Sequence, residues 1–412
     1  MKKKLQYSIL IATLSFILGM SNVVNAQAPN LGTASDFVLF TTVGAVTNTG
    51  ISHVTGNVGS NNGAVTGFGN VNGVMTYTSD LKSAQCSSDL LIAYGQLNAT
   101  IPTFFPSSSL GGDTLISGIY SITGAATLTG TLVLDAEDDE DAVFIIKIFG
   151  PFSTAANSQI KLINGALACN VYWQVEGLVS MASGTQMKGT LIVNNSAINM
   201  YTGVNLEGRA LSIAGAVSVD GVLTYTPIGC GSPILTGPTA PTLSSVECYA
   251  IFSSNGPVAN AGISFITGDV GTNVGLTTGF NPLNVTGDIH PIPDGSTTAA
   301  ASDLLNAYTY LNALPHDIEL LYPAQFGNSL VLTPHTYLMN AAATFIDTVF
   351  LNGMGDSNAV FIIKTYGAFL TSTYSQVVLT NGTKAENVYW LVSGMVTIND
   401  YSTFNGTIVC NN

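Results

Sequence analysis

Positive charge is scarce in this chain: ten Lys and Arg stand against 24 Asp and Glu, and three of the ten fall within the first four residues. Nucleic acid and anionic membrane surfaces, which both require clustered Lys and Arg, are thereby excluded as partners. Beyond residue 26 no apolar run approaches the roughly 18 residues that a membrane span needs. The five cysteines (Cys86, Cys169, Cys230, Cys248, Cys410) show no CxxC or Cys/His metal spacing, so no metal or cofactor is implied, and an odd number cannot all pair within the chain. Cys230 with Cys248 is one candidate bridge; isolated small apolar residues are the alternative. Convergent carboxylates with a nearby base, as a polysaccharide lyase or hydrolase would need, are not visible. His53 becomes Phe265 in an internal copy described below, so it reads as a surface residue without a catalytic role. The one charge cluster, Glu137 to Asp141, lacks the alternating ligands and Gly of a calcium loop and reads as a solvated corner.

What is present begins with an address. Lys2 to Lys4, the apolar stretch Leu5 to Met20 and the small-residue site Val24-Asn25-Ala26 form an export signal over 1–26. Its removal takes the formal charge from −14 to −17 and implies a secreted, extracellular or cell-surface protein. With 46% hydrophobic residues and only 8% charged, the remainder buries much of itself and covers the rest with Thr, Ser and Asn.

From Val171 to Gly221 the chain repeats itself at one fixed interval. Trp173, Ile192 and Leu211 recur at that spacing, as do Met181, Met200 and Val219, and Gly189 and Gly208. Read as three short strands per repeat (VYWQV, LVSM, TQMKG and so on), with Gly or Asn at the corners, this is a triangular β-solenoid whose stacked coils share one core. The segment GAVTNTG at Gly44 echoes GAVSVDG at Gly215, so the first and last coils carry the same kind of strand. Leu90, Ala93, Tyr94 and Leu97 instead recur at helical spacing, with Ser79 available as a cap; the helix is placed against the first-strand face.

The chain is duplicated. Asn48 to Phe68 returns at Asn260 to Phe280 with 13 of 21 positions identical, AVFIIK recurs at Ala142 and Ala359, and NVYW at Asn170 and Asn387. These repeats divide the sequence into the signal (1–26), a first solenoid domain (27–226), a Pro/Gly-rich linker (227–240) and a second solenoid domain (241–412). The stretch that would match Ser196 to Thr226 has no counterpart in the second copy. The sequence is therefore expected to be a fragment of a longer reading frame, which could carry a cell-surface attachment, and its second solenoid to be left with a gap.

LGTASDFVLF, VTNTGISHVTGNVGS, TGTLVLDAEDDEDAVFIIKI and INGALACNVYWQVEG resemble the secreted ice-binding proteins of cold-adapted microbes. The resemblance implies an all-β-dominated, right-handed discontinuous β-solenoid of triangular cross-section with one long α-helix alongside, in which the first coil stacks next to the last. It also implies adsorption to ice crystals through a flat face. Among the three faces the second is chosen here. Val46, Leu128, Phe152, Val179, Ile198 and Val217 are expected to point inward, and Thr47, Thr127, Thr129, Ser153, Ser180, Ala197, Asn199, Ala216 and Ser218 outward, with Thr344 and Thr397 in the second copy. The third strands are expected to expose Lys188 and Glu207 to solvent. An adhesin or structural solenoid module is the rival function, one that could itself hold a cell to ice.

Overall fold

A computed structural model describes residues 26–68, 75–76, 80–228, 238–320 and 323–411. Most of the stretch expected to be an export signal, Ser79 and Cys230 lie outside them. Strands with period-two burial wind into coils of three, each strand parallel to the one in the next coil. The second-face strands form a seven-stranded sheet: Val65–Thr66, Val46–Thr49, Val217–Asp220, Ile198–Met200, Val179–Met181, Phe152–Thr154 and Ala126–Leu128. The coil order is discontinuous, as expected. Phe37–Val43 sits between Asn57–Asn62 and Asn205–Ala214, and Val46–Thr49 lies against Val217–Asp220, which puts GAVTNTG beside GAVSVDG.

The first and third faces differ from the reading of three separate strands per coil. They merge into a 13-stranded sheet, because Gln186–Val193 and Asn205–Ala214 run unbroken around the corner between the faces. Glycine permits that corner. A Cβ on Gly208 would lie 1.9 Å from the Gly189 carbonyl oxygen of the coil below. Inside, Trp173 stacks on Phe152 with ring centroids 5.4 Å apart, and its Nε1 donates to the Lys188 carbonyl at 2.9 Å. Trp390 makes the same kind of bond to the Asn405 carbonyl at 3.0 Å in the second copy.

Helix α1 (Leu81–Ala99) lies on the first face, where Cys86, Leu90, Ala93 and Leu97 pack against Phe40, Ile145, Tyr172, Ile192 and Leu211. Each fully buried Leu contributes about 1.5–3 kcal/mol. The helix is capped by Asp80 rather than Ser79: the Asp80 carboxylate accepts from the Lys82 and Ser83 backbone N–H groups. Lys147 reaches from the sheet to the other end, donating to the Asn98 and Thr100 carbonyls, both at 3.0 Å. Helix α2 (Gly295–Ala313) repeats the design, with a capping box at Asp294 and Lys364 on the Asn312 and Leu314 carbonyls.

The second solenoid is interrupted. Strands after α2 build sheets of five, four and three strands, whereas those before it form three separate two-stranded sheets.

The two solenoids pack third face against third face, which corrects the expected exposure there. Lys188 and Glu207 do point out of their own core, but both are buried at the seam, 2.7 Å apart. Gln186 and Asn205 are buried as well, with Asn205 Nδ2 donating to the Val331 carbonyl at 3.1 Å. Tyr225 meets Thr333, and Asn381 meets Gln159. The coil stacks run in opposite senses, since 159 opposes 381 while 205 opposes 331. Like corners nevertheless meet: a Cβ at Gly203, between the second and third faces, would lie 3.1 Å from the Ser329 carbonyl oxygen at the equivalent corner. Gly355, at the opposite corner, would similarly approach Lys161 Nζ. Both helices therefore lie on one side of the molecule and both second faces on the other.

Two further expectations are corrected. Cys248 is free and exposed, so it is not bridged to Cys230; Cys169 is the disulfide-bonded cysteine among the described residues. His53 is buried, paired in register with Leu223, and burial pulls its imidazole down to about 4.

Candidate functional site

The second-face strands of the first solenoid set a small polar residue beside inward-facing ones, apolar on both sides at Thr127, Ser180, Asn199 and Ser218, whereas Thr47 and Ser153 have a buried polar neighbour on one side, Asn48 and Thr154. Val46, Leu128, Phe152, Val179, Ile198 and Val217 are all fully buried, which leaves the middle side chain to point out. The registers then place those middle residues side by side: Thr66, Thr47, Ser218, Asn199, Ser180, Ser153 and Thr127 form one unbroken row across the sheet. Parallel strands set them about 4.8 Å apart. The Thr47 and Ser218 hydroxyls are bonded to each other at 3.2 Å.

A second outward row lies two positions earlier and contains Ala64, Ala45, Ala216 and Ala197, tied together by backbone bonds such as Val217 N–H to the Ala45 carbonyl. A third, two positions later, contains Thr129, Ala155 and Ala182 but also Tyr201 and Asp220, so the face is least level there. The structure thus brings Thr47, Thr127, Ser153, Ser180, Asn199 and Ser218 into one row, Ala197 and Ala216 into the next, and Thr129 onto the far edge. Thr66 was missed, although Val65-Thr66 stands one full repeat after Val46-Thr47 and carried the signal.

In the second solenoid the equivalent row is shorter. Thr344 adjoins Leu370, which adjoins Thr397. Leu370 is exposed where the first copy has Ser153, and Ala259 with Thr278 lies in a separate two-stranded sheet.

Chemically the main row is inert. It holds no ionisable side chain, and the strongly shifted groups, such as His53, lie elsewhere. The corner at 137–141 closes on itself through Asx turns, Asp135 accepting from Glu137 N–H and Asp139 from Asp141 N–H. Among the described residues no group of three or more His, Cys, Asp or Glu could hold a metal ion. Nor is any described helix long and apolar enough to cross a membrane. What the row offers is a lattice of hydroxyl, amide and methyl groups held at the strand repeat.

Comparison with known proteins points the same way. The family model described as ice-binding-like matches residues 40–223 and 252–412. An ice-binding protein of Nostoc sp. (strain HG1) is 39% identical over 220 residues, which is 52% of this chain and 80% of that protein. Ice-binding protein 1 of Shewanella frigidimarina is 38% identical over 142 residues, covering 33% of this chain and 16% of its own length. The crystal structure of an ice binding protein from an Antarctic bacterium, Flavobacteriaceae, is 57% identical, covers 94% of this chain and 91% of that one, and superposes with a TM-score of 0.60.

Proposed function

The chain belongs to the ice-binding-like family, and on that premise we propose that it adsorbs to ice outside the cell, through the second face of the first solenoid, and so slows ice growth or recrystallisation. The observation that carries this reading is the row from Thr66 to Thr127: seven short, uncharged side chains in lateral register on a sheet whose core is continuous beneath them. Short side chains lose little rotamer entropy on contact. Water ordered over hydroxyls and methyls at a repeat of about 4.8 Å merges with a growing crystal, and many weak contacts made together give a firm attachment.

The other faces suit this role less well. The first is covered by α1 and the third is occupied by the second solenoid. The short row in that solenoid, broken by Leu370, makes it the weaker partner. Ice-affinity partition tests the reading directly: the purified chain should concentrate in slowly grown ice and facet the crystals. Exclusion into the liquid alongside an inert protein of similar size would overturn it.

A further inference from the structure

Where Gly203 meets Ser329 the two solenoids enclose a cleft of about 630 Å³, within the range of pockets that hold a small ligand. One wall is the corner between the second and third faces of the first solenoid, which contributes Asn157 and Ser183. The other is the third face of the second solenoid, where Val331 and the half-buried Phe350 stand side by side on strands Leu330–Leu332 and Thr348–Asn352. No described residue lining the cleft is ionisable. Phosphates, carboxylates and other ions are thereby disfavoured, since a buried charge requires a paired one.

Two amides in the cleft have their orientation fixed by their bonds. Asn352 is only 5% exposed, and its Oδ1 accepts from the Met354 backbone N–H at 2.9 Å and from Asn381 Nδ2 at 3.0 Å. A backbone N–H can only donate, so the atom facing it is the oxygen, and Asn381 must then present its nitrogen. That nitrogen also donates across the seam to Gln159 Oε1 at 3.4 Å, which uses both of its hydrogens. Two groups stay unbonded among the described residues: a donor, Asn352 Nδ2, and an acceptor, Asn381 Oδ1, at the ends of adjacent strands. The equivalent corner of the first solenoid pairs Asn164 Nδ2 with Asp135 Oδ1 at 2.8 Å, so the second copy has exchanged a carboxylate for a neutral donor.

We propose that this cleft binds a short neutral oligosaccharide, of disaccharide or trisaccharide size. Each sugar hydroxyl both donates and accepts, so neighbouring hydroxyls satisfy the two free amide groups together. The CH face of a pyranose ring covers Phe350 and Val331, and Asn157 and Ser183 face it from the first solenoid. An extended peptide is a poorer match, because the strands of this wall are laddered to one another and offer it no open edge. Ice adsorption plays no part in this recognition.

The test is calorimetry and saturation-transfer NMR on the full chain, with a panel of neutral glucose, galactose and mannose disaccharides and trisaccharides. At least one should bind with a dissociation constant of about 1 mM or tighter, and a glucuronic acid disaccharide and a capped neutral tripeptide at least tenfold more weakly. Asn352→Asp keeps acceptors for Met354 and Asn381, as Asp135 does for Glu137 and Asn164 in the first copy, but replaces the free donor with an acceptor. It should weaken the best saccharide at least tenfold. Phe350→Val installs the residue found at the equivalent Val133 and should cost severalfold in affinity while melting stays cooperative; it reads the site independently of any charge placed in the seam. Retention of the native chain, but of neither variant, on an insoluble polysaccharide of the same linkage would identify the occupant as part of a polymer, and binding of the free sugar alone would identify a soluble saccharide. No binding across the panel, equal binding by the tripeptide, or undiminished affinity in both variants would overturn the proposal.

Discussion

Ser180 lies near the middle of the row, flanked by Ser153 and Asn199 on the adjacent strands. Replacing it with tyrosine extends the side chain outward by roughly 4 Å, counting bonds of about 1.5 Å. A lattice plane cannot bend around one ring, so the neighbours on either side lose contact as well. A gap of only about 0.5–1 Å already forfeits a quarter to a half of a dispersion contact, and one of about 4 Å leaves nothing. Because attachment depends on many weak contacts acting together, ice activity should fall to less than about a tenth of the native value. Flanking Val179 and Met181 keep their places in the core, so stability should change by less than about 0.5 kcal/mol. Thermal hysteresis and recrystallisation microscopy read the activity, and calorimetry the melting temperature. Ser88→Tyr, on the exposed side of α1, is the control and should leave activity intact. If Ser180→Tyr retains half or more of the native activity at an unchanged Tm, or if Ser88→Tyr loses as much, the second face is not the contact surface.

Three other perturbations probe the scaffold. Burial draws the His335 imidazole below its ordinary value of 6.5, against the pull of Glu207, in a seam that also holds Lys188, Asp317, Tyr225 and Tyr337. Burial pushes the Glu207 carboxyl up, but Lys188 and His335 outweigh it and hold the group below its ordinary 4.5. Both shifts are downward, so the stability they confer is complete at high pH and is lost as pH falls, from about 6.5 for His335 and from about 4.5 for Glu207. Tm should decline from about pH 6.5 downward, and His335→Asn should flatten the upper part of that decline; a flat native profile between pH 8 and 5 contradicts this. Lys188→Ala strands a buried carboxylate and should cost about 3–5 kcal/mol in chemical denaturation, whereas Lys188→Met with Glu207→Leu should cost much less; equal losses would show that the pair does not act as one. Gly208→Ala drives a methyl into the Gly189 carbonyl and should lower stability by about 3 kcal/mol, the upper end of what overpacking a core typically costs; an unchanged Tm would mean that the corner has room to relax.

The sequence revealed the coil and its second face for a simple reason. Where Val, Ile or Met alternates with Ser, Asn or Thr in every repeat, period two fixes which side chain points inward. The third face followed no such rule. Gln159, Gln186, Lys188, Asn205 and Glu207 look solvated one at a time, and only packing against Val331, Asn381 and their neighbours removes them from water. Nothing local announces that contact, although opposite charges one repeat apart at Lys188 and Glu207 were a hint of pairing between coils. His53 misled for the same reason, since Phe265 occupies its position in a copy where, among the described residues, no strand covers it and it is exposed. The helix was legible from Leu90, Ala93 and Leu97, but its cap was displaced by one residue because Asp80 and Ser79 are both competent acceptors.

Because like corners meet across the seam, the molecule has a front and a back. A tether or dye attached at Ser88 on α1 or at Ser302 on α2, both exposed, stands behind both solenoids at once. Beads coated through either position would carry every copy facing outward, whereas random coupling through the few lysines would not. A film of the protein laid down through its helices is in effect a printed surface, with its texture set at the strand repeat and its orientation decided by a single attachment point.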